Sequence, residues 1–266
     1  MTSNIILFPD CEKLKAEVDK LRAEISMLIY QRDELALVEC KNLEMEYLLA
    51  LGDLEYKAYE LNCLVLRLKR KTELIRARKN RQEKIILSEI EAALDEEFAD
   101  YQARLEEQIN RMNAAIERDK CPSLSEEAAG ELKKIYHAVV KVLHPDLNPG
   151  TGPEKLKLFH NAVRAYENGD LNAMRLISAM VCEPEATLQT EDGLTALKKE
   201  RERLCSLIAA LREEIAKIKS EYPYTVKELV NSREKIAEKR AELTELIEQL
   251  REAAAAYEKT IKEMLR

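Results

Sequence analysis

His144, Pro145 and Asp146 set an imidazole and a carboxylate on either side of a ring-locked residue. Three kinds of chemistry are open to such a triplet. A metal or catalytic pair needs a third ligand or a nucleophile, and no other residue stands at a matching spacing. A plain helix stop is the second, because Pro and Asp are ordinary turn formers. The third is recognition: Pro145 stiffens the corner, and the Asp146 carboxylate can accept a charge-assisted hydrogen bond from an Arg of another protein. His144 would add a donor and an aromatic edge. Upstream, Lys133, Lys134 and Lys141 give residues 132–143 three positive charges and no negative one, a face suited to steering an acidic partner.

Two helices must hold this corner. Ser123 with Glu126 three residues on reads as a capping box, and Leu132, Ile135, Tyr136, Val139 and Leu143 form the apolar face of the helix that follows. Pro145 ends it. After the loop LNPGTGP, a second helix carries Leu156, Phe159, Ala162, Val163 and Tyr166 on one side. Asn168-Gly169 stops that helix, and Asp170 can cap a short third one with Leu171, Met174, Ile177 and Val181. Tyr136 and Tyr166 read as core residues, His137 and His160 as surface residues. The stretch from Pro122 to Cys182 holds four of the six glycines, four of the seven prolines and all three histidines, so the chain turns sharply here and hardly anywhere else.

The segment LKKIYHAVVKVLHPDLNP resembles the second helix and loop of the J-domain of the DnaJ co-chaperone family. FHNAVRAYENG resembles that family's third helix, through Phe159, Ala165, Tyr166 and Glu167. The resemblance covers roughly residues 125–170. It implies a small helical J-like domain that contacts a heat-shock ATPase of the DnaK class and stimulates its ATP hydrolysis, with His144, Pro145, Asp146, Lys133, Lys134 and Lys141 as the partner-binding residues. It implies no cofactor and no enzymatic activity of the chain itself. The family's first-helix signature, an aromatic followed by Leu-Gly-Val, is absent. His137 and Ala138 replace two usually basic positions, and Leu147 follows Asp146 where a base is usual. There is no Gly/Phe-rich stretch and no cysteine-rich zinc module, so client selection falls to the flanking helices.

Those flanks read as rods. Gly and Pro are scarce while 35% of residues are charged, which excludes sheet-rich and collagenous classes and points to long solvated helices. Leu14, Val18, Leu21, Ile25 and Leu28 form a stripe at helical spacing, continued by Leu51, Leu54, Ala58, Leu61, Val65, Leu68 and Ile75. Ile90, Leu94, Phe98, Tyr101, Leu105, Ile109, Met112 and Ile116 form a third, and a break near Lys79 to Gln82 would fold it back antiparallel on the second. Leu194, Leu197, Leu204, Ile208, Leu211, Ile215 and Ile218 occupy heptad positions up to Tyr222-Pro223, where a helix must stop. Leu229, Ile236, Leu243, Ile247, Leu250, Ala254, Tyr257, Ile261 and Met264 resume the pattern. The economical arrangement is an antiparallel helical hairpin of those last two segments.

Residues 67–84 carry nine bases and two acids. This run can lie against the acidic stretch that follows, grip phosphate, or meet an acidic protein. No aromatic interrupts it for base stacking, which disfavours nucleic acid. The net charge of −7 does not suit the chain as a whole to coating nucleic acid or anionic lipid. No run approaches the ~20 apolar residues of a membrane span, no signal peptide is evident, and the six cysteines form no CxxC pair. The expected protein is therefore all-α, cytoplasmic and reduced, without metal or membrane partner. Its expected parts are an N-terminal helical rod over 1–121, a J-like domain over 122–182, a linker over 183–193 and a C-terminal coiled-coil hairpin over 194–266. The leading function is a J-domain co-chaperone whose coiled-coil arms select a client; the rival is a structural coiled-coil adaptor with a degenerate J-like domain. Whether the rods pair within one chain or between two copies is left open.

Overall fold

The computed structural model describes residues 9–120, 124–181 and 193–266. Among them there are helices and turns and no strands. The helices are α1 (Pro9–Asp33), α2 (Cys40–Asn80), α3 (Leu87–Glu97), α4 (Ala99–Asp119), α5 (Glu126–Leu143), α6 (Pro153–Glu167), α7 (Leu171–Met180), α8 (Gly193–Ser220), α9 (Lys227–Val230) and α10 (Arg233–Met264), with a π-helical stretch over Glu34–Glu39. The chain divides into two compact units, and both are discontinuous in sequence. One comprises 1–41 and 122–225, the other 42–121 and 226–266.

In the first unit α8 lies along α1. Leu204, Leu211, Ile25 and Ile29 are all but inaccessible in one shared core that also takes in Val18 and Ile208. Ion pairs flank this core: Glu17 with Arg201 at 3.6 Å, Glu24 with Arg212 at 2.6 Å and Arg32 with Glu214 at 3.6 Å. The partners rise together along both helices, so α1 and α8 run parallel. Exposed pairs of this kind contribute little each, whereas a fully buried Leu or Ile contributes about 1.5–3 kcal/mol; the apolar stripe therefore holds α8 in place.

In the second unit α3 and α4 fold back on α2. Arg67 meets Glu91 and Asp95, each at 2.7 Å, Arg70 meets Glu97 at 2.8 Å, Lys71 meets Glu91, and Arg78 meets Glu89 at 2.8 Å. Farther along, Arg111 reaches Glu44 at 2.6 Å. The basic run thus lies against the acidic stretch, as one of the expected alternatives had it. The turn comes at 81–86, slightly later than expected, where Gln82 takes a left-handed φ of 57°. Met112 of α4 packs closely on α2 at Gly52: a Cβ there would stand 2.8 Å from the Met112 sulfur, so a larger residue would require that side chain to move. α10 also lies along α2, running parallel to it. Arg240 pairs with Asp53 at 3.3 Å, Ile247 shares a core with Ala58 and Leu61, and Ile261 shares one with Ile75.

The units are thus divided differently from the consecutive regions expected. The two segments assigned to a C-terminal hairpin find these partners in the N-terminal region, α8 on α1 and α10 on α2. The physical reason is that a heptad stripe shows that a face is buried without showing against what. The segment expected as a linker, 183–193, and Ser123, expected as a cap, lie outside the described residues apart from Gly193.

Candidate functional site: the His144–Asp146 corner

Local capping chemistry builds the three-helix group around the corner. Ser125, two residues beyond the expected cap, accepts the Ala128 amide and starts α5. Pro153 occupies the first turn of α6, where its missing N–H costs nothing. At the far end of α6, Gly169 has φ +69° and donates its amide to Tyr166 O, while Asp170 N–H reaches Ala165 O, the paired bonds of a Schellman stop. Asp170 then caps α7 through the Ala173 amide at 2.9 Å. The ring of His144 meets Phe159, and Tyr136 stacks on Tyr166. These contacts run in opposite directions along the chain, so α5 and α6 are antiparallel and the His-Pro-Asp turn sits at their join.

The corner is pinned by its own polar groups. Leu147 and Asn148 N–H both donate to His144 O, at 3.1 and 2.9 Å. The Asn148 side-chain amide donates back to Lys141 O and Val142 O, satisfying carbonyls that the end of α5 leaves open. Thr151 donates its hydroxyl to Asn148 O at 2.6 Å. Arg203 of α8 donates to Asp146 O at 2.9 Å. Neither Asn148 nor Arg203 stood out in sequence. An Asn four residues past a histidine is unremarkable by type, and Arg203 is 57 positions away.

The ring of His144 does not point outward as expected. It is only 4% exposed and packs edge-on against Phe159 with centroids 5.0 Å apart. Its Nδ1 accepts the Asp146 amide at 3.1 Å, so the proton of the neutral ring sits on Nε2. Phe159 of α6 thus covers one edge of it, and Leu143 and Leu147, close to it in sequence, are buried in the same core as Phe159. The Asp146 carboxylate, by contrast, stays 44% exposed and stands 3.9 Å from the ring nitrogen. Lys134 and Lys141 are exposed on α5, but Lys133 is engaged with Glu34 at 2.6 Å. Pro145 is half-buried.

Beneath the corner lies a polar seam that the sequence did not announce. Asp33 is buried at the end of α1. It accepts the Tyr136 hydroxyl at 2.6 Å on one oxygen and the Arg32 guanidinium at 2.9 and 2.7 Å on the other. Next to it, at the start of the π-helical stretch, Glu34 accepts the Tyr166 hydroxyl and the Lys133 ammonium. Burial, then the adjacent carboxylates, push both phenols far up, so each stays a donor. His137, expected at the surface, turns instead toward α1: its Nε2 lies 3.2 Å from the buried Ser26 hydroxyl and its ring 5.5 Å from Tyr30. His160 is exposed as expected.

Burial, helped by Arg32 and opposed by Asp146 and Asp33, depresses the His144 pKa. Burial and then Lys141 depress that of His137. A base whose folded pKa lies below its unfolded value of about 6.5 contributes stability above that value and loses it on acidification. The melting temperature should therefore fall between about pH 7.5 and 5.5, and the slope should shrink in a His137→Gln variant. A flat profile over that range would contradict the neutral, buried ring.

Among the described residues no group of His, Cys, Asp and Glu is placed to hold a metal ion, and no helix is long and apolar enough to cross a membrane. Comparison with family models, with curated proteins and with solved structures found nothing that matches this chain.

Proposed function

We propose that this chain is a J-domain co-chaperone that recruits a DnaK-class heat-shock ATPase and stimulates its ATP hydrolysis. It is not itself an enzyme and needs no cofactor; it acts in the cytoplasm, and its long helices serve as coiled-coil arms that select a client. The observation that carries this reading is the Asp146 carboxylate, presented at the join of two antiparallel helices, with Lys134 and Lys141 exposed along the helix that leads into it. A carboxylate so placed is ready to take an Arg from a partner, and the lysines favour an acidic surface beside it.

The geometry also divides the roles within the triplet. His144 shapes the turn by receiving the Asp146 amide, Pro145 fixes the first corner of that turn and keeps His144 before it extended, and Asp146 is the group left to touch a partner. Asp146→Asn is therefore a cleaner test than a His144 substitution, which would also disturb the core. In single-turnover ATP hydrolysis by a DnaK-class chaperone, the wild-type chain should accelerate turnover. The asparagine variant should lose about ten- to a hundredfold of that effect, the value of a charged hydrogen bond of ~1.5–3 kcal/mol. Equal rates with and without the wild-type chain would remove the co-chaperone reading. The rival, a structural adaptor, draws on a different observation: Arg203 of α8 fastens the Asp146 backbone within the same chain. It predicts that equality.

A further inference from the structure

The ion pairs of the second unit use up only part of its basic run. Arg67, Arg70, Lys71 and Arg78 are matched by acids of α3. Arg76, Lys79, Arg81 and Lys84 are not: all four are exposed at the α2–α3 turn, and no ion pair holds them among the described residues. Glu83 is the one acid within residues 76–84, so the stretch keeps a local excess of positive charge. The turn is firm, with Arg81, Gln82 and Glu83 amides bonded to Ala77 O, Lys79 O and Arg78 O. Ile85 anchors it in the core with Ile75 and Ile90. Directly beyond, Ile86 and Leu87 stand 36% and 42% exposed. Four free cations and two adjacent aliphatic side chains thus share one end of a helical hairpin.

We infer that this end is a peripheral docking surface for an anionic lipid bilayer. Arg76 and Lys79 lie in the last turns of α2, and Arg81 and Lys84 in the turn itself, so the four charges are gathered at one end of the hairpin and act on a charged surface together. A bilayer interface is the occupant that uses both features, headgroup phosphate and carboxylate for the bases and the acyl boundary for Ile86 and Leu87. Nucleic acid would use the bases alone, and no aromatic residue lies between Tyr59 and Phe98 to stack on its bases. An acidic protein would leave the aliphatic pair with nothing specific to do. The net negative charge of the whole chain, which led to an expectation of no membrane partner, conceals this local excess because the neighbouring bases and acids cancel within the hairpin.

The test is co-sedimentation of the full chain with vesicles of phosphatidylcholine alone and of phosphatidylcholine with phosphatidylserine, alongside a duplex DNA binding arm. Each base near an anionic surface is worth about fivefold in partitioning. The chain should sediment with the phosphatidylserine vesicles only. The Arg76→Gln, Lys79→Gln, Arg81→Gln, Lys84→Gln variant should bind them roughly several hundredfold less. Ile86→Ser with Leu87→Ser should cost severalfold on vesicles and nothing on DNA. These positions are exposed, and unchanged circular dichroism would show that the variants keep their helices. Absence of vesicle binding at low salt, or equal binding to both lipid mixtures, would overturn the inference. So would full vesicle binding by the serine variant, which would leave a purely electrostatic, phosphate-binding tip.

Discussion

Tyr136→Ala should lower the stability of the first unit by about 3–5 kcal/mol, and its melting temperature by roughly 10 °C or more. Three losses coincide at this residue. The side chain is fully buried, so truncation leaves a cavity between α5, α6 and α1. Its ring stacks on Tyr166 at 4.1 Å and 10°, a contact that only another aromatic can replace. Its hydroxyl is the sole tyrosine donor to the buried Asp33, which would keep Arg32 but lose a neutral partner on its second oxygen. Tyr136→Phe separates these contributions. It retains cavity filling and stacking and removes the hydrogen bond, so it should cost only about 1–3 kcal/mol. Denaturant titration of both variants, followed by near-ultraviolet circular dichroism of the tyrosines, measures the difference. Equal losses would mean that the Asp33 bond, not the stack, fixes the three helices on α1. The point matters for function, because the stack joins the middle of α5 to the end of α6 and so sets the angle at which their other ends present Asp146.

The parts of this arrangement that sequence revealed are those governed by neighbours in the chain. Asp170 as a cap and Asn168-Gly169 as a stop follow from backbone valence within four residues, and both stand as expected. Tyr136 and Tyr166 are legible as core because they repeat at helical spacing with Leu132, Val139 and Ala162. The pairing of Arg67 and Arg70 with Glu91 and Glu97 was legible as an alternative, since complementary charge on either side of a turn invites it. The burial of His144 was not. It depends on Phe159 of α6 reaching the ring from across the loop, and nothing in the triplet announces whether a helix-end histidine will be roofed. Nor did the stripe of α1 announce that its last residue, Asp33, and the first of the π-helical stretch, Glu34, form an acidic pair beneath two tyrosine hydroxyls. Both are products of the tertiary meeting of α1 with α5 and α6, and so is the grip of Arg203 on the Asp146 carbonyl.

Leu204→Asp should release α8 from α1, and with it the Arg203 contact to the corner. Leu204 is wholly inaccessible in the core it shares with Val18, Ile25 and Ile29. An aspartate there would be a buried charge with no partner provided for it, costing several kcal/mol beyond the lost packing. The milder Leu204→Ala should cost about 2–5 kcal/mol, set by how far α1 can close the gap. Hydrogen exchange resolves where the damage goes. Amides of α1 and α8 should lose protection in the aspartate variant, while those of α2, α4 and α10 should keep theirs, because the second unit has its own cores around Ile75 and Ile247. The reverse substitution, Ile247→Asp, should expose α10 and the neighbouring part of α2 and spare α8. Should Leu204→Asp instead deprotect α10 and leave α1 intact, α8 would be paired with α10 in solution, and the corner would be free of Arg203. If Leu204→Asp acts as expected and still stimulates a DnaK-class ATPase, the Arg203 contact is a restraint on the corner rather than part of its recognition surface; if stimulation disappears with α8, α8 is needed to hold Asp146 in its working position.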